Sequence, residues 1–321
     1  MEIKVNPVRA DQSKQKPEDE SRLGFGDIFT DHMFIMDYET GNGWFNPRIE
    51  PYGDLKIDPA AMSIHYGQEI FEGLKAYYGK DGGIYLFRAK ENFKRLNRSA
   101  PRICMPEVDI DLVMEGMKKL ILLDKEWVPR SQGTSLYIRP IMLATEAHLG
   151  VRPANNYLFY IIIGPVGAYY KEGLNPVKIY VEDKYVRAVP GGTGGSKTAG
   201  NYAGSLLAAE EAKTKGFAQV LWLDAIERKY IEEVGTMNMF FVIEDEVITA
   251  PLTGTILPGI TRDSVIHMVK DWGMKMTERS GEDHIVAGGK MGGLSQRLYN
   301  EIMAIQYGEK KDPYGWMERI D

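Results

Sequence analysis

The stretch Gly191-Gly192-Thr193-Gly194-Gly195-Ser196-Lys197-Thr198-Ala199-Gly200-Asn201-Tyr202 decides the fold. A lysine stands inside a run of glycine and other small residues. Upstream, Val177 to Val189 reads as a strand-like run. Downstream, Asn201 is placed to cap a helix that runs to Lys215. Tyr202, Leu206 and Ala209 share one face of it, Lys213 and Lys215 fill its last turn, and Gly216 ends it. Two chemistries use a strand, a glycine-rich turn and a helix in this order. One is the phosphate cradle of a P-loop NTPase, which needs Gly six residues before its Lys and another Gly directly before it. Gly191 meets the first condition, but position 196 is Ser. Thr198 fits, and Val220-Leu221-Trp222-Leu223-Asp224 imitates an apolar strand ending in a magnesium-binding Asp. The other chemistry is a nucleophilic lysine that condenses with a carbonyl, for which small flanking residues leave room for a flat ring. A solvated loop with an ordinary surface lysine is the third reading that composition leaves open.

The rest of the chain bounds these choices. It has 321 residues, enough for about two domains of ~150 residues each. With 44% hydrophobic and 26% charged residues it reads as a soluble globular protein that can bury a core without staples. The single cysteine, Cys104, excludes a disulfide scaffold and a cysteine-based zinc site, and it fits a reducing, cytoplasmic location. His32, His65, His148, His267 and His284 show no metal-ligand spacing, so no metal is expected. A net charge of −6 favours neither nucleic acid nor an anionic membrane. No stretch approaches the ~18–20 apolar residues of a membrane span. The polar run Asp11 to Ser21 argues against a signal peptide.

Periodicity gives an α/β chain of two domains. Residues 1–22 are polar and are expected to be extended or mobile. In the first half, Met33–Tyr38, Ile84–Phe87, Thr134–Pro140 and Tyr157–Ile163 read as strands, and Lys90–Ala100 and Leu112–Lys125 as helices. Strand and helix are expected to alternate here. Residues 1–169 form the smaller N-terminal domain in this reading, 170–176 the linker, and 177–321 the domain that carries Lys197.

Several separated stretches then agree on one family. Lys197 to Tyr202, with Gly-Gly-Thr-Gly before it, resembles the pyridoxal-lysine segment of branched-chain amino acid aminotransferases. These are fold-type IV enzymes that use pyridoxal 5′-phosphate (PLP). The resemblance extends to Phe29–Phe34, His65–Gln68 with Phe71–Ala76, Ser135–Pro140, Gln219–Asp224, Glu233–Asn238 and Leu257–Arg262, in family order from about residue 22 to residue 320. It implies a two-domain α/β fold of the D-amino acid aminotransferase-like kind, with PLP in the interdomain cleft. It also implies Lys197 as the Schiff-base lysine and proton carrier, Glu233 as partner of the pyridine nitrogen, and Tyr202 as partner of the ring oxygen. Arg95, Ile260 and Thr261 would anchor the phosphate, with Arg98 and Arg102 left as surface or structural residues. Tyr66, Phe71, Tyr137, Tyr169 and Thr236 would line an apolar substrate pocket, and Arg139 would meet carboxylates at its rim. Alternation along Tyr230 to Val234 puts Glu232 and Glu233 on opposite faces, with Glu232 the salt-bridged structural member.

The implied activity is reversible transamination of Leu, Ile and Val with 2-oxoglutarate, hence small-molecule partners (amino acids, glutamate, 2-oxo acids) and a homodimer whose loops help cover the site. Relatives of the same fold, a D-amino acid aminotransferase or an aminodeoxychorismate lyase, are the alternatives, together with a PLP-binding variant of impaired activity and, more remotely, the P-loop NTPase. The impaired variant matters because the pattern breaks. After Arg279 the family continues with a helix and a Gly-Thr-Gly-Thr-Ala loop, whereas here Ser280-Gly281 leads directly into Glu282 to Val286. About 30 residues of the pattern are absent, judged against ordinary domain lengths. The missing loop supplies a Thr to the phosphate and backbone donors to the substrate carboxylate in the family. The Gly-rich run Ala287 to Gly293 is the one local candidate to fill the gap.

Overall fold

The structure, a computed structural model, describes residues 1–167, 175–281 and 292–321. It divides into two compact units, Met1–Gly173 with Asn300–Asp321, and Leu174–Tyr299. The linker expected over 170–176 lies, through residue 174, outside the described residues.

The first unit is built on one sheet. Its strands are β1 (Lys4–Val5), β2 (His32–Glu39), β3 (Gly43–Pro51), β4 (Glu69–Phe71), β5 (Leu74–Tyr78), β6 (Ile84–Phe87), β7 (Ser135–Ala144) and β8 (Asn156–Val166), joined by a C-terminal strand, Met317–Arg319. The order is β1-β3-β2-β8-β7-β5-β6 and then Met317–Arg319, with β4 pairing β7. Apart from β1 beside β3, the pairs are antiparallel. The expected alternation of strand and helix is therefore replaced by hairpins. Between β3 and β4 stands α1 (Met62–Tyr66), and only α2 (Ala89–Ser99) and α3 (Ile110–Leu123) form longer helices among the described residues of this half.

The period of two explains why one face is core. Along β8, Tyr157, Phe159, Ile161 and Ile163 are buried, while Leu158, Tyr160 and Ile162 between them are half-buried. The buried set packs with Phe34 and Met36 of β2, Leu136 and Ile138 of β7, Phe93 and Leu96 of α2, and Met117 and Leu120 of α3. Phe71, Tyr137 and Arg139 are half-buried and stand outside that core.

Residues 1–22 hold a short strand and two 3-10 turns, Ala10–Gln12 and Glu20–Arg22, and they are tied down. Val8 donates its N–H to His32 Nε2 at 2.9 Å, and His32 Nδ1 is bonded to Asp124 at 2.6 Å. Lys14 donates its backbone N–H to Asp31 and its ammonium to the Thr30 carbonyl, both at 2.7 Å. The C-terminus corrects the expected domain 177–321. Met317–Arg319 pairs antiparallel with β6, and Tyr307 packs on Tyr77 and Phe87, so the last segment completes the first unit, which is the larger one.

The second unit holds two small sheets. In one, β9 (Ile179–Glu182), β10 (Gln219–Leu223), β11 (Ile231–Val234) and β12 (Met237–Asn238) run in the order β12-β11-β10-β9. In the other, β13 (Phe240–Ile243), β14 (Glu246–Thr249) and β15 (Lys275–Glu278) lie in chain order. Within the strand-like run Val177 to Val189, where the strand is expected over Val177–Val181, the strand observed is Ile179–Glu182. The Glu182 carboxylate accepts the N–H groups of Lys184 and Tyr185 and closes a turn there. The single helix expected from Asn201 to Lys215 is two, α4 (Ala199–Ala203) and α5 (Leu206–Thr214). Thr198, not Asn201, stands at the first cap position. α6 (Ile260–Asp271) connects β14 to β15 and buries Val265, Met268 and Val269. The last helix, α7, is Gly293–Gln306.

Candidate active site

The glycine-rich run is a loop held in shape from both sides. Gly194 lies so close to the backbone of Thr255 that a Cβ there would collide with the Thr255 carbonyl. Asn201 turns its side chain back into the loop. Its amide donates to the carbonyl oxygens of Thr193 at 2.9 Å and Ser196 at 2.8 Å, and its own oxygen accepts from the Thr193 hydroxyl at 2.6 Å. That is why Asn201 does not cap a helix. The loop so fixed presents Lys197, half-buried, whose ammonium donates to the Tyr202 hydroxyl at 2.7 Å.

On β11 both acids are buried, Glu233 at 2% and Glu232 at 8% exposure. Glu233 accepts from the Asn238 amide at 2.8 Å and is ion-paired with Arg187. Burial pushes its carboxyl up from the ordinary range, and Arg187 opposes that push. Glu232 is not the salt-bridged residue expected. It takes a hydrogen bond from the Thr255 hydroxyl, its other oxygen has no partner among the described residues, and burial pushes it up too. Tyr202, Glu233 and Thr236 line one small pocket together with Arg187 and Leu257. At about 20 Å³ it offers functional groups rather than an enclosing volume.

Ile260 and Thr261 open α6 behind Gly259, whose own residue type offers no side-chain cap. Asn238 organises the approach. Its amide also donates to the Leu257 carbonyl at 2.9 Å, and its oxygen fills the space a Cβ on Gly259 would need. The backbone donors of a helix start are suited to an anion.

In the first unit, Arg95 is buried on α2 and forms two parallel hydrogen bonds, Nε and Nη2 each at 2.8 Å, to Glu72. Glu72 is fully buried and also accepts from Asn92 at 3.0 Å and from the N–H of Gly73 at 3.2 Å. Arg98 and Arg102 are exposed, in keeping with their reading as surface residues. Removing one partner of a buried pair strands the other charge. Glu72→Ala is therefore expected to cost about 3–5 kcal/mol of stability in urea unfolding. A loss under ~1 kcal/mol would mean that Arg95 is solvated as a surface charge is.

Phe71, Tyr137 and Arg139 come together on the sheet of the first unit. Arg139 donates to the Tyr137 hydroxyl at 3.0 Å and lies 4.7 Å over the Phe71 ring. Tyr137 and Arg139 line a cavity of about 300 Å³ walled by Phe25, Phe29, Ile141 and Ile162. Tyr66 stands apart from these, 41% exposed, with its hydroxyl bonded to the Leu149 carbonyl. Tyr169 lies outside the described residues. Sequence reasoning did not single out Arg187, Glu72 or Phe25. Arg187 left a signal, a lone cation within Val186-Arg187-Ala188-Val189.

The profile of the Amino-transferase class IV family matches residues 69–281. The chain is 47% identical over 349 residues to branched-chain-amino-acid aminotransferase 2 of Bacillus subtilis (strain 168), covering 98% of this chain and 96% of that protein. Its fold matches the crystal structure of the Escherichia coli branched-chain amino acid aminotransferase with a TM-score of 0.75 at 28% identity, over 90% of this chain and 99% of that one. It matches the branched-chain aminotransferase of the thermophilic archaeon Thermoproteus uzoniensis, solved with norvaline, at a TM-score of 0.75 over 90% and 100% of the two chains. At 22% identity that second likeness speaks for the fold alone. The alignment to the Bacillus relative runs over 349 positions and this chain has 321 residues, so at least 28 of those positions (349 − 321) have no counterpart here. The family profile also ends at 281, beside the expected break. The lysine loop, the buried acids of β11 and these likenesses agree, and the chain belongs to the class IV aminotransferases, among the branched-chain-amino-acid aminotransferases.

Proposed function

We propose that this protein catalyses reversible transamination of branched-chain L-amino acids with 2-oxoglutarate, with pyridoxal 5′-phosphate held on Lys197. The observation that carries the reading is the Lys197 amine on the Tyr202 hydroxyl at 2.7 Å, beside a pocket with a buried carboxylate. The donor set fits the cofactor. An amine suits its aldehyde, a phenol its ring oxygen, a buried acid its ring nitrogen, and a helix start its phosphate. When bound, PLP supplies the electron sink for charge at the substrate Cα.

The chain's own residues do the rest. Lys197 takes and returns the proton at the substrate Cα, which is general acid–base work. Glu233 holds a proton on the ring nitrogen, and Tyr202 orients the ring through its oxygen. Ile260 and Thr261 bind the phosphate at the start of α6, and Arg95, fixed by Glu72, adds a guanidinium. Phe71, Tyr137, Tyr66, Tyr169 and Thr236 favour an aliphatic side chain by desolvation, at about 0.8 kcal/mol per methylene. Arg139, steadied by Tyr137, receives the carboxylate of glutamate.

The protein as purified should be yellow, with a visible band that leucine bleaches and 2-oxoglutarate restores. A protein that takes up no PLP would overturn the reading. Within it, Glu233→Gln is expected to lower leucine turnover by about 100-fold or more. Glu232→Gln, whose carboxylate meets Thr255, should lose less than about tenfold. Equal losses would assign the effect to strand packing.

The reading includes a cytoplasmic homodimer. Ile64, Tyr66, Leu149 and Val151 expose apolar surface at 60%, 41%, 62% and 84%, and the Tyr66–Leu149 hydrogen bond joins the two segments that carry them. A fully active monomer in sedimentation would count against the dimer. Among the described residues no helix is long and apolar enough to cross a membrane, and no acid, histidine or cysteine cluster could hold a metal.

A further inference from the structure

Arg187 has no part in the reading above, yet it binds together the segments that the reading uses. Its side chain is 9% exposed. Its Nη2 nitrogen is ion-paired with Glu233 and also donates to the carbonyl oxygens of Gly194 and Thr255, each at 3.2 Å. These acceptors lie on three different segments. Glu233 is on β11, Gly194 is three residues before Lys197, and Thr255 is in the loop that leads to Ile260 and Thr261.

A buried ion pair of this kind is weak evidence for stability, because desolvation offsets the attraction. Its effect on Glu233 is more specific. Burial favours the neutral acid, and the neighbouring Glu232 carboxylate pushes the same way. A neutral acid cannot keep a pyridine nitrogen protonated. Among the described residues, the charged side chains that act on Glu233 are Arg187 and Glu232, one of each sign, with Asp224 in turn facing Glu232. Arg187 is thus the charged group that opposes neutralisation, beside hydrogen bonds from the Asn238 amide and the Leu257 backbone.

We propose that Arg187 is a positioning residue: it holds the Glu233 side chain as an oriented anion and fastens the Lys197 loop and the approach to α6 to the same strand. This rests on the reading that Glu233 partners the ring nitrogen.

The test uses holoprotein reconstituted with PLP labelled with ¹⁵N in the ring, and compares wild type, Glu233→Gln, Arg187→Met and Arg187→Lys. The wild-type resonance should be that of a protonated pyridine. Arg187→Met should move it toward the unprotonated position and lower leucine kcat by about tenfold or more, the effect of losing one hydrogen bond to a charged group, with KM changed far less. Arg187→Lys keeps the charge as a single point contact. Its resonance should stay near wild type at neutral pH but lose the proton at lower pH than wild type does. That titration decides the matter if Arg187→Met does not fold. Unmoved resonances and midpoints in the Arg187 variants, with Glu233→Gln shifted, overturn the proposal and leave the reading of Glu233 standing. An unmoved Glu233→Gln overturns that reading itself.

Discussion

Lys197→Ala is expected to lower leucine:2-oxoglutarate turnover by about 10⁴-fold or more, the upper end of what a positioned acid–base group contributes. The Tyr202 hydroxyl that accepts from Lys197 cannot substitute, because a phenol offers no amine for a carbonyl. The fold should survive the change, because Lys197 is half-buried and the loop is held by Asn201 and by the Gly194 approach to Thr255. PLP should still bind, weakly, through phosphate contacts that do not involve the lysine. Borohydride reduction of the native holoprotein followed by peptide mapping gives the complementary result. The label should sit on Lys197, and a label on any other lysine would sink the assignment.

What the sequence made legible was local. Lys197 and Tyr202 are five residues apart, and a short helix between them is enough to bring amine and phenol together. The buried faces of β8 and α6 follow from periods of two and 3.6, which need no knowledge of the partner. What stayed hidden depends on chain closure. Arg187 reaches Glu233 across 46 positions (233 − 187), and no spacing rule encodes that pairing. Glu232 read as a salt-bridged strand residue because strand alternation assigns opposite faces but says nothing of what covers each. Here the Thr255 loop covers the second face, so both acids are buried. The strand Met317–Arg319 is too short to show a period, and its place beside β6 is set by contacts over more than 200 positions. Asn201 carried a true capping preference, but carbonyls in its own loop outcompeted the helix for it.

The break after Arg279 sets the second large effect. Its two sides are anchored in the second unit. Arg279 donates its N–H to the Thr249 carbonyl at 3.0 Å, and Gly281 accepts from the N–H of Ile231 at 3.1 Å, at the start of the strand that carries Glu233. A segment inserted between Arg279 and Glu282 would therefore begin beside β11. By resemblance, the absent helix and Gly-Thr-Gly-Thr-Ala loop give one Thr to the phosphate and several backbone donors to the substrate carboxylate. Each lost hydrogen bond to a charged group costs about 1.5–3 kcal/mol. If Ile260, Thr261 and Arg95 anchor the phosphate as proposed, it loses one contact among several, and PLP affinity should be about tenfold below that of a restored chain. The carboxylate loses its main donors together, so kcat/KM for leucine should be lower by about 10²-fold or more. Restoring a family-like segment at this point and measuring both quantities in both proteins separates the two losses. Residues 282–291 lie outside the described residues; the Gly-rich run Ala287 to Gly293 is the local candidate to replace the missing donors, a turn before the final helix being the other reading of it. If the short chain already turns over leucine as fast as the restored one, that run holds the carboxylate, and its substitution should then abolish the activity that the missing loop was expected to support.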